Sequence, residues 1–186
     1  MDLLRKIMQL ILTIVILWAE TEYVHAKIPG LENTQILSGW QNMDGSYTAA
    51  IKIDLEQDWK TYWHSTGETV ILPQFSFSGS KNVNNIRFIW PAPFLFGNRD
   101  IWSIGYQDWL VLPFIVVPKN KARPVLLELS AIIGVCEQIC VSAEFEASEI
   151  LRPYVKKRDP EIIAALASRP KTKTDGKVHD LECGFS

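Results

Sequence analysis

The two residues whose types and spacing are best suited to chemistry are Cys136 and Cys140, which are separated by residues 137–139. In a straight strand, residues at positions i and i+4 lie about 13 Å apart, which is too far for a disulfide bond. A bond between these cysteines therefore requires the chain to turn back, either in one turn of helix or in a tight hairpin. In a hairpin the two cysteines would be directly opposed, with Cα atoms roughly 4.5–5.5 Å apart, a separation that suits a disulfide.

The sequence on both sides of the pair has a period of two, so that alternate residues share one face. Residues 141–148 alternate apolar residues with serine and glutamate. The segment before the pair, residues 125–135, places on one face Val125, Leu127, Leu129, Ala131 and Ile133. Because a period of two is typical of strands, the sequence favours the hairpin over the helix.

Three kinds of chemistry fit a close cysteine pair: a structural disulfide, exchange with other thiols, and binding of a soft metal ion. The stabilisation from a disulfide grows with the logarithm of loop length, so a loop this small gains less than the typical ~2–4 kcal/mol. The loop also lacks the Gly or Asn that relieves tight hairpins, and a strained bond is more easily reduced, which favours exchange. Two thiolates could hold Cu(I) or zinc, but His64, His179 and Met43 are remote in sequence, so the metal signal is weak. The structural disulfide and the copper-handling site remain alternatives.

Glu137 lies between the two cysteines. Its carboxylate is a candidate for proton transfer during exchange, or for raising the pKa of a neighbouring thiol by like-charge repulsion. The alternative is a solvated glutamate in a turn. The sequence has no Ser-His-Asp set, no glycine-rich phosphate loop and no paired-carboxylate site.

Residues 1–26 have the order of regions that defines a secretory signal peptide: a basic start, an apolar run from Ile7 to Ala19 and a polar end. We place cleavage after Ala26; the alternative is an uncleaved membrane anchor, for which the apolar run is short. An exported chain would fold in an oxidising compartment, where cysteine pairs persist as disulfides and Cys183 is left as the odd cysteine. With 19 basic and 21 acidic residues, the chain gives no indication of nucleic-acid binding.

Residues 27–152 contain seven or eight short period-two segments separated by turn residues, which predicts an all-β antiparallel sandwich. Residues 27–44, which contain glycine breakers, are interpreted as an entry segment that precedes the first strand. A single short helix is predicted after Asp159, which is a good N-cap and is followed by a proline at the first helical position. Residues 153–186 are therefore predicted to form this helix and a flexible polar tail.

The segment Phe94-Leu95-Phe96-Gly97 follows two prolines that stop strand pairing, so it is predicted to be a loop. Three large apolar residues in a loop indicate either a plug for one end of the sandwich or a lid over the cysteines or a partner contact. After this segment, residues 101–106 and 109–117 are predicted to form a hairpin that turns at residues 107–108.

Taken together, four blocks of sequence resemble the N-terminal periplasmic domain of DsbD-type thiol:disulfide interchange proteins, including the ScsB-like branch. The resemblance runs from about Gln35 to Leu151. The order and spacing of the blocks carry it, since any single block would be a weak signal. The blocks are Trp59-Lys60-Thr61-Tyr62-Trp63; Ile89-Trp90-Pro91-Ala92-Pro93; Ile104-Gly105-Tyr106 with Val111-Leu112-Pro113; and Val135-Cys136-Glu137-Gln138-Ile139-Cys140 leading into Ala143-Glu144.

The resemblance implies an immunoglobulin-like sandwich that carries the cysteine pair on adjacent strands and needs no cofactor or metal. It implies that Cys136 and Cys140 exchange with other thiols in the periplasm, so that the domain acts as a protein-disulfide reductase-like redox module. A membrane-embedded thiol reductase would be the electron donor, and thioredoxin-fold disulfide proteins of the periplasm would be the acceptors. A cap over the cysteines is also implied, which matches the region from Phe94 to Gly97, with Phe96 as the shielding aromatic residue.

The chain departs from the family in two ways. Its cap segment has no acidic residue before Asp100, whereas the family pattern places acidic residues there. Full-length members also continue into membrane helices and a thioredoxin-like domain, which this sequence does not contain. If the chain is a natural stand-alone protein, we expect its electron donor to be another polypeptide.

Overall fold

A computed structural model describes residues 28–64, 71–98 and 101–171, together with Arg5. This part of the chain forms ten strands and one short helix. The strands are β1 (Leu31–Gln41), β2 (Tyr47–Leu55), β3 (Lys60–Tyr62), β4 (Gln74–Ser76), β5 (Val83–Phe88), β6 (Phe94–Asn98), β7 (Ile101–Gln107), β8 (Trp109–Pro118), β9 (Val125–Cys136) and β10 (Cys140–Leu151), and the helix is α1 (Pro160–Ala167).

The strands form two antiparallel sheets. The first sheet has the order β1-β2-β8-β5, and the second has the order β10-β9-β3-β7-β6. One edge of β9 pairs along its whole length with β10, whereas its other edge is shared by two short strands, β3 near its end and β4 near its middle. The prediction of an all-β antiparallel sandwich with a short C-terminal helix is therefore confirmed.

The main core lies between the two sheets and is built from the alternate residues of each strand. In β9, every second residue from Val125 to Val135 is buried in this core, as the sequence pattern predicts. Facing them from the first sheet are Ile51, Ile53, Leu112 and Phe114, which are fully buried. The residues of β9 between these positions, and Cys136 directly after Val135, must therefore lie on the outer face of the second sheet.

Helix α1 covers the outer face of the first sheet. Its N-cap is Asp159, whose carboxylate accepts hydrogen bonds from the backbone N–H groups of Glu161 (2.8 Å) and Ile162 (3.2 Å), as predicted. Ile162 is buried together with Trp40, Ala50, Val111 and Ala165 in a second small core. At the other end of the helix, the carbonyl of Ser168 accepts a hydrogen bond from the backbone N–H of Ala92 (2.8 Å), which ties the helix to the segment before β6.

Three sequence predictions about connections are wrong. The segment at residues 27–44 contains the long strand β1, which keeps its pairing with β2 despite two irregularities in register. Residues 94–97 are not a loop: they belong to β6, which pairs with β7 and places Phe94 opposite Gly105. The two prolines end the pairing before this segment, but they do not prevent pairing after it.

The predicted hairpin between residues 101–106 and 109–117 is also absent. β7 pairs with β3 and β6 in the second sheet, whereas β8 pairs with β2 and β5 in the first sheet. The chain crosses from one sheet to the other at Asp108, which adopts a left-handed conformation (φ 64°). A period-two pattern is the same for a hairpin and for such a crossing, so the pattern alone could not distinguish them.

Several predictions lie outside the described residues. These are the signal peptide of residues 1–26 (apart from Arg5) and the tail with Cys183. Among the residues that the structure does describe, no helix combines the length and apolar character needed to cross a bilayer.

Candidate functional site

The cysteine pair forms a disulfide across the tip of a hairpin. Strand β9 ends at Cys136 and β10 begins at Cys140, and the two residues are direct partners in the ladder with Cα atoms 4.1 Å apart. The three-residue loop between them is closed by a hydrogen bond from the backbone N–H of Glu137 to the carbonyl of Ile139 (3.3 Å). The prediction of a hairpin rather than a helical turn is therefore confirmed.

Strand pairing places several side chains beside the disulfide on the outer face of the second sheet. Residues that are opposed in a ladder point to the same face of the sheet, as do residues two apart in one strand. Lys60 in β3 is opposed to Cys136, so Lys60 and Tyr62 share the face of the disulfide. Tyr62 is opposed to Gly105 in β7, and Gly105 is opposed to Phe94 in β6, which brings β6 onto this face as well.

The two cysteines differ in their access to solvent. Cys136 is 6% exposed, whereas Cys140 belongs to the exposed residues. Thiol–disulfide exchange requires a thiolate to reach one sulfur of the disulfide, and the rate depends on which sulfur is accessible. A molecule that approaches from solvent therefore meets Cys140 before Cys136.

Tyr62 contacts both sulfur atoms. Its hydroxyl oxygen lies 2.9 Å from the Sγ of Cys136 and 3.2 Å from the Sγ of Cys140. The residue is buried, and this burial raises the pKa of the Tyr62 hydroxyl above its ordinary value. At neutral pH the group is therefore protonated and can donate a hydrogen bond.

Two glycines make room for Tyr62 in the middle of the sheet. A Cβ atom on Gly105 would collide with the carbonyl oxygen of Thr61 and lie 3.0 Å from the Cα of Tyr62. A Cβ atom on Gly134 would lie 3.2 Å from the ring of Tyr62 and 3.0 Å from Ile71. The neighbouring residue Thr61 is fully buried, and its hydroxyl donates a hydrogen bond to the carbonyl of Gly134 (2.9 Å). Strand β3 is thus fixed closely between its neighbours, which positions the hydroxyl of Tyr62.

The four residues of the predicted cap differ in their surroundings. The ring of Phe96 is half-buried and lies 6.2 Å from the ring of Tyr62, centroid to centroid. The Nζ atom of Lys60 lies 6.0 Å from the centroid of the same Phe96 ring, at the distance of a cation–π contact. Phe94 and Leu95 are 70% and 63% exposed, respectively. Gly97 continues the strand opposite Trp102. Phe96 therefore packs on Tyr62, which in turn contacts the disulfide, whereas Phe94 and Leu95 face solvent.

The other candidate residues lie at the periphery. The side chain of Glu137 is exposed in the hairpin loop. His64 is exposed, and its ring lies near the rings of Trp63 and Trp90, at centroid distances of 4.1 Å and 5.2 Å, respectively. Within the described ranges, no group of three or more His, Cys, Asp or Glu residues is arranged to hold a metal ion.

Sequence reasoning did not identify Tyr62 and Lys60 as neighbours of the disulfide. Both lie in the aromatic block 59–63, which drew attention only as a marker of the family. Their position depends on the pairing of β3 with the last residues of β9. The final residue of β9, Cys136, lies 74 positions after Tyr62 in the sequence. No local pattern in a three-residue strand specifies such a long-range register.

The fold and the site together define an antiparallel β-sandwich domain with a disulfide across an outer hairpin and one accessible cysteine. The chain belongs to the family described as "Thiol:disulfide interchange protein DsbD, N-terminal", whose sequence model matches residues 33–151. It is therefore a thiol:disulfide interchange domain of that family, and the resemblance inferred from the four sequence blocks is confirmed.

A solved structure agrees with this assignment of the fold. The chain is similar to the N-terminal periplasmic domain of ScsB from Proteus mirabilis, with a TM-score of 0.56 and 21% sequence identity. The match covers 75% of this chain and 53% of that chain, so this protein spans about half the length of the ScsB structure. The comparison with curated proteins gave no match.

Proposed function

We propose that this domain relays electrons by thiol–disulfide exchange through the Cys136–Cys140 pair. The donor would be a membrane-embedded thiol reductase, and the acceptors would be thioredoxin-fold disulfide proteins of the periplasm. The observation that carries the proposal is the asymmetry of the disulfide, in which Cys140 is exposed and Cys136 is buried. A disulfide with one accessible sulfur at the tip of a hairpin is open to attack by a thiolate from another protein.

Reduction of the pair takes two steps. A thiolate of the donor attacks the Sγ of Cys140, so that a mixed disulfide forms and Cys136 leaves as a thiolate. The second thiolate of the donor then attacks the first donor sulfur, which releases Cys140 and leaves the donor oxidised. The domain now holds two reduced cysteines.

Delivery of electrons runs in the opposite sense. The thiolate of Cys140 attacks the disulfide of an acceptor and forms a mixed disulfide with it. Cys136 then attacks Cys140, which re-forms the Cys136–Cys140 bond and releases the acceptor as a dithiol. In both directions Cys140 contacts the partner, and Cys136 stays within the domain.

The surroundings of the pair support a role in controlled exchange. We assign to Phe96 the shielding of the disulfide, because its ring packs on Tyr62, which contacts both sulfurs. Phe94, two residues before Phe96 in β6, offers an exposed apolar side chain on the same face, which a partner could cover on docking, whereas Leu95 is exposed on the opposite face. Export through the signal peptide proposed for residues 1–26 would place the domain in the oxidising periplasm.

The test that separates exchange from a structural disulfide is the reduction potential of the pair. We expect a potential above about −300 mV, because structural disulfides of exported proteins have values below that and resist reduction by thiols. The potential is measured by equilibration with dithiothreitol or glutathione buffers, in a Cys183→Ser background that leaves a single pair. A value well below about −300 mV would contradict the relay and favour the structural disulfide.

Replacing Phe96 with alanine is expected to make the disulfide more accessible to small reductants. An aromatic pair such as Phe96–Tyr62 is worth about 1 kcal/mol, so its loss should speed reduction by dithiothreitol roughly fivefold. Leu95→Ala is the matched control, because Leu95 is the next residue in β6 and points to the opposite face of the strand. Equal rates for the wild type and Phe96→Ala would show that Phe96 does not shield the pair.

A further inference from the structure

We propose that the hydroxyl of Tyr62 is a catalytic hydrogen-bond donor that stabilises the thiolate released from the Cys136–Cys140 disulfide during exchange. This inference rests on the proposed function of the pair, because it assigns a residue to the same reaction. It begins from a contact that a purely structural disulfide does not need, namely one hydroxyl within hydrogen-bond distance of both sulfur atoms.

The hydrogen bond becomes stronger as the reaction proceeds. A sulfur atom in a disulfide is a weak acceptor, whereas a thiolate carries a full negative charge and is a strong acceptor. A donor that is already in place therefore binds the leaving sulfur more tightly in the transition state than in the resting disulfide. Such differential binding lowers the barrier, and it costs no reorganisation because the donor is held in place beforehand.

The position of the hydroxyl fits the direction of exchange. When a partner thiolate attacks Cys140, a bond forms between the partner sulfur and Cys140 Sγ, and the Cys136–Cys140 bond breaks. The electron pair of that bond stays on Cys136 Sγ, which is the nearer sulfur to the Tyr62 oxygen, at 2.9 Å. When Cys140 is the thiolate that attacks an acceptor, the same hydroxyl can turn to it across 3.2 Å. One hydroxyl carries one proton, so it serves one sulfur at a time.

The surroundings keep the hydroxyl in its donor form. Burial of Tyr62 disfavours the charged phenolate, so the group is protonated in the range where a cysteine thiol ionises. The ring is held by packing that does not involve the hydroxyl, since the space left by Gly105 and Gly134 and the contact with Phe96 act on the ring and backbone. Tyr62→Phe should therefore remove the hydrogen bond and keep the packing.

The decisive measurement is the pKa of the reduced cysteines, followed through the ultraviolet absorbance of the thiolate as pH is varied. Tyr62→Phe, in the Cys183→Ser background, is expected to raise the lower thiol pKa because the thiolate loses its donor. The rate of exchange with dithiothreitol at neutral pH should fall roughly tenfold, as expected for a lost hydrogen bond to a charged group. Lys60 on β3 and Glu137 in the hairpin loop are charged residues that flank the pair, and both are unchanged in this variant.

Tyr106→Phe is the matched control. Tyr106 is a buried tyrosine in β7, opposed to Thr61, and its hydroxyl donates to the carbonyl of Pro91 (2.8 Å) rather than to a sulfur. The control also loses a buried hydrogen bond, so it should lower stability but leave the thiol pKa and the exchange rate unchanged. A general effect of losing a buried hydroxyl would instead appear in both variants.

A second substitution protects the test against a folding defect. Site-specific replacement of Tyr62 by 3-fluorotyrosine keeps the hydroxyl and makes it a stronger donor, so the thiol pKa should fall and exchange should accelerate. An unchanged thiol pKa in both Tyr62 variants would overturn the inference even if the wild type exchanges normally. If the wild-type pair does not exchange with any dithiol, the proposed relay fails, but the pKa titration still decides whether Tyr62 binds the thiolate.

Discussion

Cys136→Ser is expected to accumulate a stable mixed disulfide with an oxidised thioredoxin-fold protein, whereas Cys140→Ser is expected to accumulate roughly tenfold less. In Cys136→Ser, the exposed Cys140 attacks the disulfide of the probe, and the residue that would resolve the adduct has been removed. In Cys140→Ser, the remaining thiol of Cys136 is in a residue that is only 6% exposed, so the probe cannot reach it easily. The adducts are quantified by electrophoresis without reductant, and their linkage is identified by mass spectrometry.

The comparison requires two controls. Cys183 must be replaced by serine in both variants, because it is a further cysteine that could form adducts of its own. A variant with serine at both Cys136 and Cys140 measures adducts that do not involve the pair. Equal trapping by the two single variants would contradict the assignment of Cys140 as the cysteine that contacts partners.

The geometry of the cysteine pair could be predicted because it depends on local sequence. A bond between Cys136 and Cys140 is incompatible with a straight strand, and the alternation on both sides of the pair favours a hairpin over a helix. The same alternation in residues 125–135 identifies the inward face of β9, and therefore places Cys136 on the outward face. A hairpin is a short-range structure, so the residues that specify it are neighbours in the sequence.

The topology of the second sheet could not be predicted in the same way. The chain passes from β7 into the other sheet at Asp108, yet the residues around Asp108 have the pattern of a simple hairpin turn. Strand β6 follows two prolines, which predicted a loop, but pairing with β7 satisfies its backbone hydrogen bonds. In both cases the outcome is decided by the strand that is available as a partner, which is a property of the whole fold.

The surroundings of the disulfide were hidden from sequence reasoning for the same reason. Tyr62 contacts the sulfurs, and Lys60 lies opposite Cys136, because β3, only three residues long, is inserted between β7 and the end of β9. The burial of Cys136 and the exposure of Cys140 also follow from this insertion. Strand β3 pairs with the edge of β9 that β10 leaves open, and so lies beside Cys136, whereas Cys140 is in β10, at the edge of the sheet. The family resemblance pointed to the cysteines and predicted a cap, but the contact through Tyr62 required the register of three strands.

Gly105→Ala is expected to be strongly destabilising and to displace the site. The backbone conformation of Gly105 is not left-handed, so alanine is excluded by lack of space and not by its conformational preference. Its Cβ would collide with the carbonyl oxygen of Thr61 and approach the Cα of Tyr62 at 3.0 Å, and backbone atoms cannot rotate away as a side chain can. Overpacking of this kind costs about 1–3 kcal/mol or more, so we expect a loss of about 3 kcal/mol in the free energy of unfolding, measured by urea denaturation.

The effect of Gly105→Ala on the site distinguishes local strain from general destabilisation. Separating β3 from β7 would force β3 against β9 and displace the Tyr62 hydroxyl from its position beside the two sulfurs. The hydrogen bond to the thiolate should then be lost, so the thiol pKa of the folded fraction should rise as it does in Tyr62→Phe. Gly79→Ala is the matched control, because the atom that its Cβ would meet most closely is the carboxylate end of Glu128, an exposed side chain that can move. A normal thiol pKa in a folded Gly105→Ala protein would show that the hydroxyl keeps its place without close packing of β3 against β7. The same result combined with an unchanged free energy of unfolding would contradict the role assigned to Gly105.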